Sequence, residues 1–185
     1  MTSADHAPIF DDLVAEITQH YHRGRVLVAI DGADEQATGH FADSLAAAMR
    51  ARSLSVFRST NAPDSAAERH DLSFPWYDDY LADEDHSRLL NTVLRFRDGN
   101  LVPHPFLADL PDDAMLIVAG RFLLRPELRG FWHFGVWLEG DTHLGDESLE
   151  AQIRYTRDNA PRGAANAIFD VTDAESPTRV WADSC

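Results

Sequence analysis

The chain contains no lysine; all sixteen of its basic residues are arginine. A site that grips phosphates with a flexible ammonium therefore has no side chain for the task, and a planar guanidinium fills that role only with altered geometry. Cysteine is nearly absent too. Cys185 stands alone, which excludes an intrachain disulfide and a thiolate metal cluster. Positive charge is scarce: 31 acidic residues give a formal net charge of -15. That balance argues against nucleic acid or an anionic membrane surface as partner. No apolar run is long enough to span a bilayer, and the opening MTSADHAPIF lacks the basic and apolar regions of an export signal. A cytoplasmic location is the resulting expectation. No G-x-S-x-G occurs, so a hydrolase of the α/β type would lack its nucleophile. Repeats and low-complexity tracts are missing as well.

What the chain does have is a core. At 185 residues and 44% hydrophobic, it is long enough for one domain spanning 1–185 and short for two. Arg25 to Arg52, RVLVAIDGADEQATGHFADSLAAAMRAR, carries the strongest local pattern. Val26 to Ile30 is a short apolar run rich in Val and Ile, followed by Asp31-Gly32, which predicts a buried strand and a turn. Phe41, Leu45, Ala48 and Met49 then recur at helical spacing, predicting a helix that begins near Thr38. Strand, turn and helix form the frame of a phosphate-binding loop, G-x-x-x-x-G-K-S/T. With Gly32 setting the register, the loop positions are Gly32, Ala33, Asp34, Glu35, Gln36, Ala37, Thr38, Gly39 and His40. The second glycine falls on Ala37, the lysine on Thr38 and the hydroxyl residue on Gly39. His40 could stand in as a cation, but an ordinary imidazole is mostly neutral at pH 7.

Elsewhere, strand and helix patterns alternate. Pro8 to Tyr21, Asp85 to Phe96 and Ser148 to Arg157 read as helices, and Arg125 to Arg129 as a helical turn. Ser53 to Arg58, Ala114 to Ala119, His133 to Leu138 and Ala167 to Val171 read as strands, with Thr178 to Trp181 as an added edge. Residues 59–83 are polar and aromatic and are expected to form an acceptor-side loop or lid. This order predicts a doubly wound parallel sheet of about five strands flanked by helices, with its ligand crevice beyond the carboxyl ends of the strands.

Several segments together carry a family resemblance: the loop region above, FPWYDDYLAD, MLIVAGRFLLRPELRGFWHFGVWLEG, and RYTRDNAPRGAANAIFDVTDAESPTRVWADSC. The most specific is the strand followed by G-x-F-L-x-R-P-E-L-R. In these the chain resembles the uridine kinase-like branch of P-loop nucleoside kinases, in its compact actinobacterial form. The resemblance implies a P-loop NTPase-like sheet, ATP as phosphate donor, Mg²⁺ and a nucleoside-like acceptor. It places acceptor contacts near Trp76, Tyr77, Asp79 and Tyr80, and lid arginines at Arg154 and Arg157 within a lid helix at 148–162. The departures fall on the chemistry. The family's loop lysine is Thr38, its magnesium-binding hydroxyl is Gly39, a loop glycine is Glu35, and the acid closing the central strand is Ala119. The acceptor-activating aspartate has a counterpart in Asp64 only after a shift of register.

A carboxylate ~4 Å from a phosphate oxygen costs on the order of 4 kcal/mol at an effective dielectric of about 20. Tight ATP binding in the usual pose is therefore not expected. The expected function is a kinase-like fold that has lost phosphotransfer and serves as a binding or interaction protein. Its ligand would be a small anionic or nucleoside-like molecule, with no metal and no cofactor assigned. Two alternatives stand beside it. One is an active ATP- and Mg²⁺-dependent nucleoside kinase in which Arg121, just past the central strand, replaces the lysine. The other is a non-catalytic scaffold, including a homo-oligomer. For Arg121 the plain alternative is a surface ion pair; for Arg154 and Arg157, ordinary positions on a helix surface; for the aromatics, core packing. His20 and His22 are better suited to a helix C-terminus than to a metal.

Overall fold

The computed structural model describes residues 7–60, 83–100, 110–141 and 146–181. Its centre is strand β1, Val26–Gly32, buried along its whole length. The strand runs two residues beyond the expected Ile30, because Asp31 and Gly32 still pair with neighbours on either side. Around it lie β2 (Val56–Thr60), β3 (Met115–Gly120), β4 (Phe134–Glu139), β5 (Ala167–Asp170) and β6 (Thr178–Val180). The sheet order is β2-β3-β1-β4-β5-β6. β1 to β5 are parallel, and β6 closes one edge antiparallel to β5. The five expected parallel strands and the added edge are all present. Continuous apolar runs such as MLIVAG form these inner strands because helices cover both faces of a parallel sheet.

The side chains of β1 divide by strand alternation. Val26, Val28 and Ile30 pack against α1 (Ala7–His20) and α2 (Glu35–Ala51). Phe41 of α2 meets Phe10 edge-on and Phe169 at a tilt, each with ring centroids 5.0 Å apart. Leu27 and Ala29 face the opposite core. It is built with α3 (Asp83–Arg97), α4 (Pro126–Arg129) and α5 (Asp146–Asn159). Phe134 and Trp137 are buried between sheet and helices, while Phe131 and Trp132 are only half-buried.

Two helices depart most from the sequence expectation, the others shifting by one or two residues at their ends. α2 starts at Glu35, three residues before Thr38. The stretch expected as one lid helix over 148–162 is divided: α5 ends at Asn159, and α6 (Pro161–Ala164) begins after Ala160, whose φ of 44° is left-handed. Proline at the first helical position starts a new helix rather than continuing the old one.

Arg25, just before β1, ties the far end of the sheet together. Its Nη2 pairs with Asp112 at 2.8 Å and also donates to the Leu110 carbonyl at 3.3 Å. Arg25→Met keeps the stem and removes these bonds, and is expected to cost about 1–2 kcal/mol in urea unfolding. Ligand binding at the opposite end of the strands should be unchanged.

Candidate functional site

The parallel strands end together, and the connections after β1, β4 and β5 line a cleft of about 450 Å³. Its near wall is the turn from β1 into α2. Only Ala33 and Asp34 separate strand from helix, so Gln36, Ala37, Thr38 and Gly39 lie in the first turns of α2. No long loop is left to wrap around a phosphate. Gly32 is nevertheless needed for close approach: a Cβ there would sit 3.0 Å from side-chain carbons of both Leu138 and Thr38.

Asp34 explains the early helix start. Its backbone is extended (φ -97°, ψ 114°), and its Oδ1 accepts the N–H groups of Gln36 at 2.8 Å and Ala37 at 3.0 Å. This is N-capping by aspartate, which satisfies amides that would otherwise point free into the crevice. The Thr38 N–H donates to the Asp34 carbonyl at 2.9 Å. Thr38 is itself buried, and its hydroxyl turns back to the Glu35 carbonyl at 3.0 Å. The donors expected to face an anion are thus engaged within the turn. Glu35 is exposed rather than folded inward.

The rest of the lining is acidic. Asp34, Glu139, Asp141 and Glu175 contribute carboxylates, and among the described residues no arginine lines the cleft. Glu139 is partly neutralised by Arg162, whose Nε lies 2.7 Å from Oε1. His40 is exposed on α2, with Nδ1 3.8 Å from Glu175 Oε1. These residues do not fit a magnesium triphosphate. The anion cradle is filled by a carboxylate of the chain itself, the hydroxyl is turned away, and the surround is negative.

Arg121 does follow β3 at the carboxyl end of the sheet, with its guanidinium 4.6 Å over the ring of Phe122. Arg154 is half-buried on α5, whereas Arg157 is exposed and bonds to Asp158 at 2.6 and 3.1 Å. These arginines belong to the opposite face of the sheet from α2, and they are absent from the described lining of the cleft. Asp64, Trp76, Tyr77, Asp79 and Tyr80 lie outside the described residues. Among the described residues no group of three or more His, Cys, Asp or Glu is placed to hold a metal ion.

Sequence reasoning treated Asp31 as punctuation at the end of a strand. In the structure it is a fully buried carboxylate. Alternation turns it toward the core that contains α5, where Oδ1 accepts the Phe122 N–H at 3.0 Å. Oδ2 accepts the Leu124 N–H at 2.8 Å and the Tyr155 hydroxyl at 2.5 Å. Burial raises its pKa to about 6, against the lowering effect of Tyr155 and of the backbone amides. Tyr155 is pushed well up, first by burial and then by the charge of Asp31. The available signal was a lone acid closing an otherwise apolar central strand, which has to find donors somewhere.

The fold is that of P-loop NTPase-like kinases. A solved structure described as a possible uridine kinase from Bacillus stearothermophilus superposes with a TM-score of 0.70 at 22% identity. The match covers 87% of this chain and 97% of that one. A candidate fructose transport system kinase from a Silicibacter species gives 0.46 at 18% identity, over 90% and 86% of the two chains. No family model matches the sequence, and no curated protein matches it either. No helix among the described residues is long and apolar enough to cross a membrane.

Proposed function

We propose that this protein is a uridine kinase-like P-loop protein that has given up ATP-dependent phosphotransfer and works by binding. One observation carries the reading: the Asp34 carboxylate occupies the α2 amides that a phosphate would otherwise use. The acidic lining of the cleft and the lack of any lysine support it. Phosphoryl transfer is mostly positioning and charge neutralisation, and a cleft with this lining opposes both. Cytoplasmic placement and a small nucleoside-like ligand, neutral rather than polyphosphorylated, belong to the same proposal. So does a partner chain, for which the exposed Leu149, Ile153 and Trp181 are the apolar candidates among the described residues.

Titration calorimetry with ATP, with and without Mg²⁺, tests the reading directly. Binding is expected to be weaker than about 1 mM and indifferent to Mg²⁺. Low-micromolar affinity that depends on Mg²⁺ would favour the active-kinase alternative, and a phosphotransfer screen over nucleosides would then establish turnover. Light scattering after gel filtration addresses the partner: a strict monomer with nothing copurifying counts against the scaffold.

A further inference from the structure

The inner face of α5 is settled by its contacts. Ala151, Gln152 and Tyr155 are buried, and the Tyr155 hydroxyl donates to the Asp31 carboxylate of β1 at 2.5 Å. The outer face carries Leu149 at 41% and Ile153 at 57% exposure, one helical turn apart. We propose that this outer face is a self-association surface. Its occupant is a second copy of the chain, the two α5 helices running antiparallel about a two-fold axis. The inference rests on the partner named in the reading above and identifies it, and it is independent of the claim about ATP.

Charge order is what selects a second copy. The first five residues of α5, 146–150, include three acids, whereas the last six, 154–159, include two arginines and one aspartate. Glu150 and Arg157 are both exposed and lie two turns apart, hence on the same side of the helix, with Ile153 near their midpoint. Reversing the helix therefore sets acid against base. With Ile153 near the axis, positions 149 and 150 of each copy come level with 157 and 156 of the other. Leu149 then packs on the aliphatic stem of Arg157, and Glu150 approaches its guanidinium, and symmetry makes each contact twice. Asp158 already accepts from Arg157 at 2.6 and 3.1 Å, which fixes the guanidinium at the helix end.

Other partners fit this face less well. The formal net charge of -15 repels a second copy over most of the surface, so close approach is least opposed where both signs are present. A uniformly basic partner suits the rest of the surface but meets Arg154 and Arg157 here. Among the described residues none of α5 lines the cleft, so pairing leaves the cleft open.

One helix pair buries less than the ~1,200 Å² at which standard interfaces begin. The dimer is accordingly expected to be weak and reversible, with a Kd on the order of 0.1 mM.

Analytical ultracentrifugation over about 10 μM to about 1 mM protein spans that value. Wild type should pass from monomer to dimer across the range. Ile153→Glu, at an exposed position, places like charges together on the axis and should raise Kd at least tenfold. Glu150→Arg and Arg157→Glu should each weaken association several-fold, because each makes the face repel its own copy. An equimolar mixture of these two variants should associate more tightly than either alone, since every acid then meets a base. Thermal melts verify that each variant is folded. A wild type that stays monomeric overturns the proposal. So does a dimer that Ile153→Glu leaves intact, or a mixture no tighter than its components. Calorimetry with ATP on the same samples keeps the two claims apart: a monomer that binds ATP only weakly overturns the dimer alone. Mg²⁺-dependent micromolar binding by a dimer sensitive to Ile153→Glu overturns the loss of phosphotransfer and upholds the dimer.

Discussion

Asp31→Asn is expected to remove a pH-dependent loss of stability worth about 3 kcal/mol. The Asp31 pKa rises from 3.8 to about 6 on folding, with burial as the leading cause. A raised folded-state pKa means the native state holds its proton more tightly than the unfolded chain does. The stabilising contribution is thus fully present below pH 3.8 and is lost as the pH passes through about 6. By pH 8 the wild type has lost it; asparagine never had it to lose. The variant will be less stable at low pH, because an amide nitrogen must then face a backbone N–H or the Tyr155 hydroxyl. Its deficit should shrink by about 2.5 kcal/mol between pH 4 and pH 8, measured by urea unfolding of both proteins at each pH. The paired comparison matters because His133, whose pKa burial lowers, moves stability the other way in both proteins. A deficit that stays constant across the range would mean that Asp31 titrates like an ordinary surface carboxylate.

The same residue marks where sequence reasoning stops. Strands β1 and β3 were legible because VLVAI and MLIVA are unbroken apolar runs of the kind that only a doubly covered parallel sheet buries. The short edge β6 followed from Thr178 to Trp181, and α4 from the proline at its start. Local patterns of this sort are printed in neighbouring residues. Asp31, by contrast, meets partners 91, 93 and 124 positions away, and no local pattern encodes such a meeting. The start of α2 failed for a different reason. Matching the loop to a phosphate-binding template imposed the template's helix boundary, whereas Asp34 had the side chain to cap a helix beginning at Glu35. The departure of these residues from a phosphate-loop pattern was thus readable in the sequence, but a helix already begun at Glu35 was not. Arg121 has an aromatic stacking partner that neither sequence reading, phosphate ligand or surface ion pair, anticipated. Phe122 lies directly beneath it, and adjacency in sequence gives no hint of that geometry.

Asp34→Gly should convert this closed turn into an anion site. Glycine is a tolerable N-cap, so the helix loses only a few tenths of a kcal/mol. The Gln36 and Ala37 amides then lose their partner and face the cleft at the positive end of a 17-residue helix. The carboxylate that leaves would have stood ~4 Å from any oxyanion seated there, a repulsion on the order of 4 kcal/mol at an effective dielectric of about 20. Asp34 is half-exposed and screening reduces that figure, yet ~1.4 kcal/mol is already tenfold in affinity. Sulfate and inorganic phosphate are accordingly expected to bind the variant at least tenfold more tightly than wild type, read as anion-dependent thermal shifts or by calorimetry. Glu139, Asp141 and Glu175 remain, so absolute affinity should stay in the millimolar range. Asp34→Asn separates the two effects of the residue. Its side-chain oxygen can keep the capping bonds while the charge is gone, so a gain confined to the glycine variant assigns the block to occupancy of the amides. An equal gain in both assigns it to charge. If neither variant gains, the geometry of the shortened turn rather than the Asp34 side chain keeps phosphate out, and the reading built on that carboxylate falls.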